Sequence, residues 1–176
     1  MSDINPGLAQ PRRLRLAPAL PPEDVTVGQI CLAKPDRGPD LLVLVIEVHE
    51  NHVQALLCGH EHHLATDTDC VLEPWQTAYP RPLLVHGDVS GRIWKERLTR
   101  PMGRVGPELT ARVALRGRGL DFNTSDLGRG RAIQNDSDPR WKMKLEKFRQ
   151  LRTVQARASE LGWEICKFGD ADPRET

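Results

Sequence analysis

Cys58-Gly59-His60-Glu61-His62-His63 is the densest run of titratable side chains in the sequence. Imidazole titrates near neutrality, so a histidine can take or give a proton at working pH. His60 and His62, two residues apart, fall on one face of an extended strand. The run also holds zinc-ligand types, with Cys70 and His86 further along, but its spacing matches no paired-ligand pattern. No metal and no cofactor is therefore expected. Two readings stay open: a proton-transfer site, or the polar rim of a strand end. Arg92, Lys95, Arg97, Arg100 and Arg104 form the densest basic run. It suits phosphate contact, or a solvated edge that discourages strand pairing. Trp75 and Trp94 have faces on which unpaired bases can stack. Trp94 lies in an amphipathic strand and fits a core place better.

The histidines must be carried by the stretch before them. Leu41 to Ile46 is a continuous apolar run, Asn51 breaks the pattern, and a second apolar stretch covers Val53 to Cys58. Short leucine and β-branched runs of this kind predict strands buried on both faces, here joined as a hairpin. The run is far too short to cross a bilayer. Val25 to Ala33 alternates as a first strand, and Lys34 to Asp40 is a proline- and glycine-marked loop. Leu64 to Asp69 reads as irregular, Cys70-Val71-Leu72 as a short strand stopped by Pro74, and Leu83 to His86 as another. Gly87-Asp88 carries a turn signal before a last amphipathic strand, Val89 to Leu98. Many short strands without βαβ alternation predict a mainly β chain, a small barrel or strongly bent sheet. Pro107 opens a short helix to about Arg116, with Leu109, Val113 and Arg116 on one face. Ser137-Asp138-Pro139 starts a long C-terminal helix. Along it Trp141, Leu145, Phe148, Leu151, Val154, Ala158 and Leu161 recur at helical steps. Gly162 ends it, and Trp163 to Phe168 reads as one more strand.

At 176 residues and 39% hydrophobic, the chain has apolar material for one core. The expected plan is a mobile N-terminal arm (1–24), a barrel (25–117), a Gly/Arg-rich linker (118–136) and a helical extension (137–176). The arm carries a basic knot, Arg12-Arg13-Leu14-Arg15. The net charge of +1 hides an asymmetry: residues 1–90 sum to −6 and residues 91–176 to +7. Such a division favours an anionic partner for the basic half, or self-association. The four cysteines are widely spaced, and the N-terminus lacks an apolar segment of signal type. Reduced thiols in a cytoplasmic protein, with no membrane contact, are expected. The stripe of the long helix must pack on the barrel, on a second copy or on a partner protein.

Several segments recur in a familiar order. Gly28-Gln29-Ile30 sits in the first strand, Asp36-Arg37-Gly38 in the loop, and Leu41 to Ile46 in the apolar strand. Asp88 through Ile93 to Arg97-Leu98 has the form D-x-x-x-x-I-x-x-x-R-L. Met102-Gly103-Arg104-Val105-Gly106-Pro107-Glu108 turns into a helix. From Val27 to about Val113 this order resembles the MazF/PemK (Kid) family of toxin endoribonucleases. The resemblance implies an SH3-like barrel with a helix after it, commonly a homodimer held by a cognate antitoxin. It implies cleavage of single-stranded RNA without a metal. The chain departs from the family at two places. Family members begin the second strand with Arg-Pro, where this chain has Leu41-Leu42. They end the third strand with Pro-x-Thr, where this chain has Cys58-Gly59-His60. Residues 117–176 lie outside the resemblance.

RNA cleavage needs a base for the 2′-OH, an acid for the leaving 5′-oxygen and a cation at the phosphate. His60, with His62 or Glu61 beside it and Arg37 from the preceding loop, supplies these three types. Arg92, Lys95, Arg97, Arg100 and Arg104 are the expected nucleic-acid contacts. The sequence thus supports an RNA-cleaving enzyme with an altered site. The lost Arg-Pro and Pro-x-Thr features support the alternative, a barrel that has lost catalysis and serves as a binding or assembly module.

Overall fold

The computed structural model describes residues 24–99, 101–120, 127–128 and 130–156. The basic knot of the arm, Arg100, the far end of the helical stripe and the Trp163 to Phe168 strand lie outside them. Among the described residues, six antiparallel strands curl into a half-barrel carrying three helices. They are β1 (Gln29–Ala33), β2 (Leu41–Val48), β3 (His52–Gly59), β4 (Cys70–Leu72), β5 (Leu83–Trp94) and β6 (Gly103–Arg104). The helices are α1 (Pro74–Thr77), α2 (Pro107–Gly117) and α3 (Pro139–Arg152). None is long and apolar enough to cross a membrane.

The sheet order is β4-β5-β3-β2-β1-β6, so the β2–β3 hairpin lies at its centre. Alternation along β2 explains why its run is unbroken. Leu41, Val43 and Val45 join one buried cluster with Leu57, Ile93 and Leu151, while Leu42 and Leu44 join another with Leu56, Leu72 and Val113. Burying both faces of one strand removes the need for a polar side. A register shift between Val45 and Glu47 bends the hairpin. Curling brings β6 to the far end of the sheet, where a Cβ on Gly103 would sit 3.0 Å from Tyr79 Cβ.

Three local expectations change. β1 begins at Gln29, because Gly28 holds a left-handed φ of 87° and its backbone abuts the Val105 carbonyl. Pro74 opens α1 instead of merely ending β4, with the Gln76 side chain accepting from Glu73 N at 2.8 Å. Leu83 to Trp94 forms one continuous strand without a turn at Gly87-Asp88. Gly87 serves close approach: the end of α2 packs onto it, backbone to backbone, at Gly117. Gly91 does the same for Leu151 of α3, whose side chain comes within 3.0 Å of a Cβ placed there.

Candidate functional site

Strand pairing decides what surrounds the histidines. Gly59 ends β3 opposite Leu84, and Cys58 lies opposite Val85. On the other side Val43 pairs with Leu57, so the start of β2 and its preceding loop flank the same strand end. The segment from α1 into β5 faces the β3 terminus through Pro82, and Arg37 lies in the loop that leads into β2. Arg37 is exposed there. Its loop is tied down by Arg97, which donates to Lys34 O at 3.3 Å and pairs with Asp36 at 3.1 Å.

His60 and His62 converge on one acceptor, the Pro82 carbonyl. His62 Nε2 lies 2.9 Å from it and His60 Nδ1 3.4 Å. A carbonyl only accepts, so each of these ring nitrogens carries the proton. The lone pair of each neutral ring is then on the opposite nitrogen, Nε2 of His60 and Nδ1 of His62. Tyr79 stacks on His60 with ring centres 5.8 Å apart, and its hydroxyl lies 3.4 Å from His60 Nε2. The chain turns back towards His60 at Ala78, a non-glycine residue at φ 49°. Trp75, on α1 just before Tyr79, is 82% exposed.

Glu61 folds back over Gly59. Its carboxylate accepts from His60 N at 3.0 Å and from Lys147 Nζ of α3 at 3.0 Å. Partial burial pushes the Glu61 carboxyl up, but Lys147 and the backbone N–H groups outweigh it and hold it at about 2. One turn earlier, buried Lys144 pairs with buried Asp69 and with Asp88. Asp69 also accepts from Thr66 N at 2.8 Å, and His86 Nδ1 lies 3.5 Å away. Burial raises the Asp69 carboxyl, yet the His86 ring, the Lys144 ammonium and the Thr66 amide together lower it to about 2. Beyond that contact with Asp69, neither ring nitrogen of fully buried His86 finds a hydrogen-bond partner among the described residues.

No family model matches the chain, and no curated protein does. Among solved structures it is similar to an endoribonuclease in complex with its cognate antitoxin from a mycobacterial species. The identity is 20%, the match covers 55% of this chain and 96% of that one, and the TM-score is 0.41.

The structure thus brings His60 and His62 together on the Pro82 carbonyl, while the loop that carries Arg37 is anchored to Arg97. It separates the sulfur ligands from the imidazoles: Cys58 and Cys70 are buried in the core, and burial pushes the Cys58 thiol up. Among the described residues, no three His, Cys, Asp or Glu side chains are grouped to hold a metal ion. In the basic run, Lys95 is nearly buried and Arg97 is committed to the loop. Arg92 is half-buried opposite Gln54, Arg104 is exposed on β6, and Arg100 is outside the described residues. Trp94 packs edge-on to His52 at 6.3 Å. Sequence reading missed Tyr79, Lys144, Lys147 and Asp69. For Tyr79 the available signal was its place in a proline-bracketed turn; for the lysines there was none, because they read as a solvated helix face.

Proposed function

We propose that the chain is an SH3-like barrel of the MazF/PemK kind that binds single-stranded RNA and cuts it without a metal. It acts in the cytoplasm as a homodimer, and a protein partner of antitoxin type controls it. One observation carries this reading: two imidazoles held on the Pro82 carbonyl through one ring nitrogen each, with the Tyr79 hydroxyl at the other nitrogen of His60 as a further proton-exchanging group. One neutral ring takes the 2′-OH proton as the oxygen attacks phosphorus. The other, protonated, gives its proton to the 5′-oxygen as the P–O bond breaks, leaving a 2′,3′-cyclic phosphate and a 5′-hydroxyl. Arg37 holds the phosphate through its planar fork, Arg104 and Arg92 contact the flanking backbone, and Trp75 stacks a base.

The test is incubation of the purified protein with mixed-sequence single-stranded RNA, with and without chelator, beside His60→Ala. Cleavage that resists chelator and disappears in His60→Ala is expected. No cleavage by the wild type would remove the enzyme reading. Cleavage that survives His60→Ala would remove the residue assignment.

A second reading, a barrel that binds without cutting, draws on a different observation. Leu41 and Leu42 are buried at the place where the family carries its phosphate-binding Arg-Pro pair. Stoichiometric RNA binding without product would favour it.

A further inference from the structure

Helix α3 is docked in the reverse of its amphipathic sense. A helix normally turns its apolar stripe to the core and its charges to water. Here Lys144 is 2% exposed, whereas Trp141, Leu145 and Phe148 are 42%, 40% and 38% exposed. The reversal is held in place. Lys144 is clamped between Asp69 and Asp88, Lys147 pairs with Glu61, and Leu151 packs on Gly91. Rolling the stripe inward would drag those ammonium groups off their carboxylates. Positions 141, 145 and 148 share one face at helical spacing, so two aromatic rings and a leucine form a continuous outward ridge.

The rim of this ridge is cationic. Lys142, Arg149 and Arg152 are all exposed beside or within it. Within α3 Glu146 is the one carboxylate; it meets Arg149 at 3.7 Å and accepts from Gln150 Nε2 at 3.4 Å. That charge argues against a second copy as occupant, because antiparallel pairing of two ridges would oppose lysines and arginines with lysines and arginines. It argues for an amphipathic segment with apolar anchors and an acidic rim. We infer that the Trp141-Leu145-Phe148 face of α3 docks an acidic amphipathic helix of a partner protein. The inference shares the protein partner with the proposed function but needs no catalysis.

The probe is a labelled synthetic helical peptide with leucines at i, i+3, i+4 and i+7 and glutamates elsewhere, compared with its lysine-for-glutamate counterpart. Both are titrated against the full chain by fluorescence anisotropy, with sedimentation of the free chain alongside. The glutamate peptide binds and the lysine peptide does not. Leu145→Ser with Phe148→Ser weakens binding by about tenfold or more, as loss of central apolar anchors does. Because both side chains are solvent-facing, the circular dichroism of that variant matches wild type. Lys142→Glu with Arg149→Glu, which touches no apolar contact, loses the glutamate peptide and gains the lysine one. Failure of the glutamate peptide to bind, equal binding of both peptides, or a free-chain dimer dissolved by the Leu145/Phe148 variant would each overturn the inference. RNA cleavage is scored separately, so either reading can fail alone.

Discussion

At the scale of single residues, the site rests on where protons and charges are forced to sit. The Pro82 carbonyl fixes the tautomers of His60 and His62, and Glu61 fixes the backbone between them. Trp75, 82% exposed, contributes nothing to the core. Trp75→Ala is therefore expected to leave thermal stability unchanged while weakening single-stranded RNA binding by about 1–3 kcal/mol, the worth of one stacked base. Lys144 is the opposite case. Lys144→Met strands the buried Asp69 carboxylate and is expected to cost about 3–5 kcal/mol in denaturant unfolding. Asp69→Asn in that background removes the stranded charge and recovers part of the loss. Both Asp69 and Glu61 are held at about 2, below their ordinary 3.8 and 4.5. Their stabilisation is complete above those ordinary values and is lost as pH falls towards 2. Thermal melts across that window follow α3 loosening, and a Lys144→Met chain shows a shallower acid slope.

At the scale of elements, the backbone contacts are as specific as the side chains. Gly87 and Gly117 touch backbone to backbone, so a Cβ on either overlaps the other strand or helix. Gly87→Ala is expected to destabilise by about 1–3 kcal/mol, the usual cost of overpacking where nothing can give. The same pair shows why part of the fold was hidden in the sequence. Gly87-Asp88 has the chemistry of a turn, yet its role is set by Gly117, thirty residues on. The central hairpin was legible because β2 buries both faces, and an unbroken apolar run has no other short-range explanation. The start of α3 was legible too, since Asp138 accepts from Arg140 N at 2.9 Å as a helix cap does. Which face of α3 turns inward was not. Periodicity predicts burial of Trp141 and Phe148, but two carboxylates distant in sequence claim Lys144 instead. For the candidate site, His60 and His62 announce themselves by spacing. Their supports Tyr79 and Pro82, from the link between α1 and β5, and Lys147, from α3, are assembled only by folding.

At the scale of the whole molecule, the charge division between the halves acquires a partly internal meaning. Lys144 and Lys147 belong to the basic half, and their partners Asp69, Asp88 and Glu61 to the acidic half. The asymmetry thus helps dock α3 across the barrel before any ligand is considered. Exposed among the described residues are Arg37, Arg81, Arg104, Arg118, Arg131 and, on α3, Lys142, Arg149 and Arg152. RNA affinity is expected to fall steeply as salt rises, and Arg37→Ala to reduce the log–log slope by about 1 if one phosphate contact is lost. The central claim is that an imidazole pair moves the protons of RNA cleavage, and the ends of the fragments test it most directly. Mass spectrometry of a short single-stranded RNA treated with the full chain should show 2′,3′-cyclic phosphate and 5′-hydroxyl ends, absent with His60→Ala and with a 2′-deoxy substrate. Fragments bearing 5′-phosphate ends, or cleavage of the deoxy substrate, would contradict it.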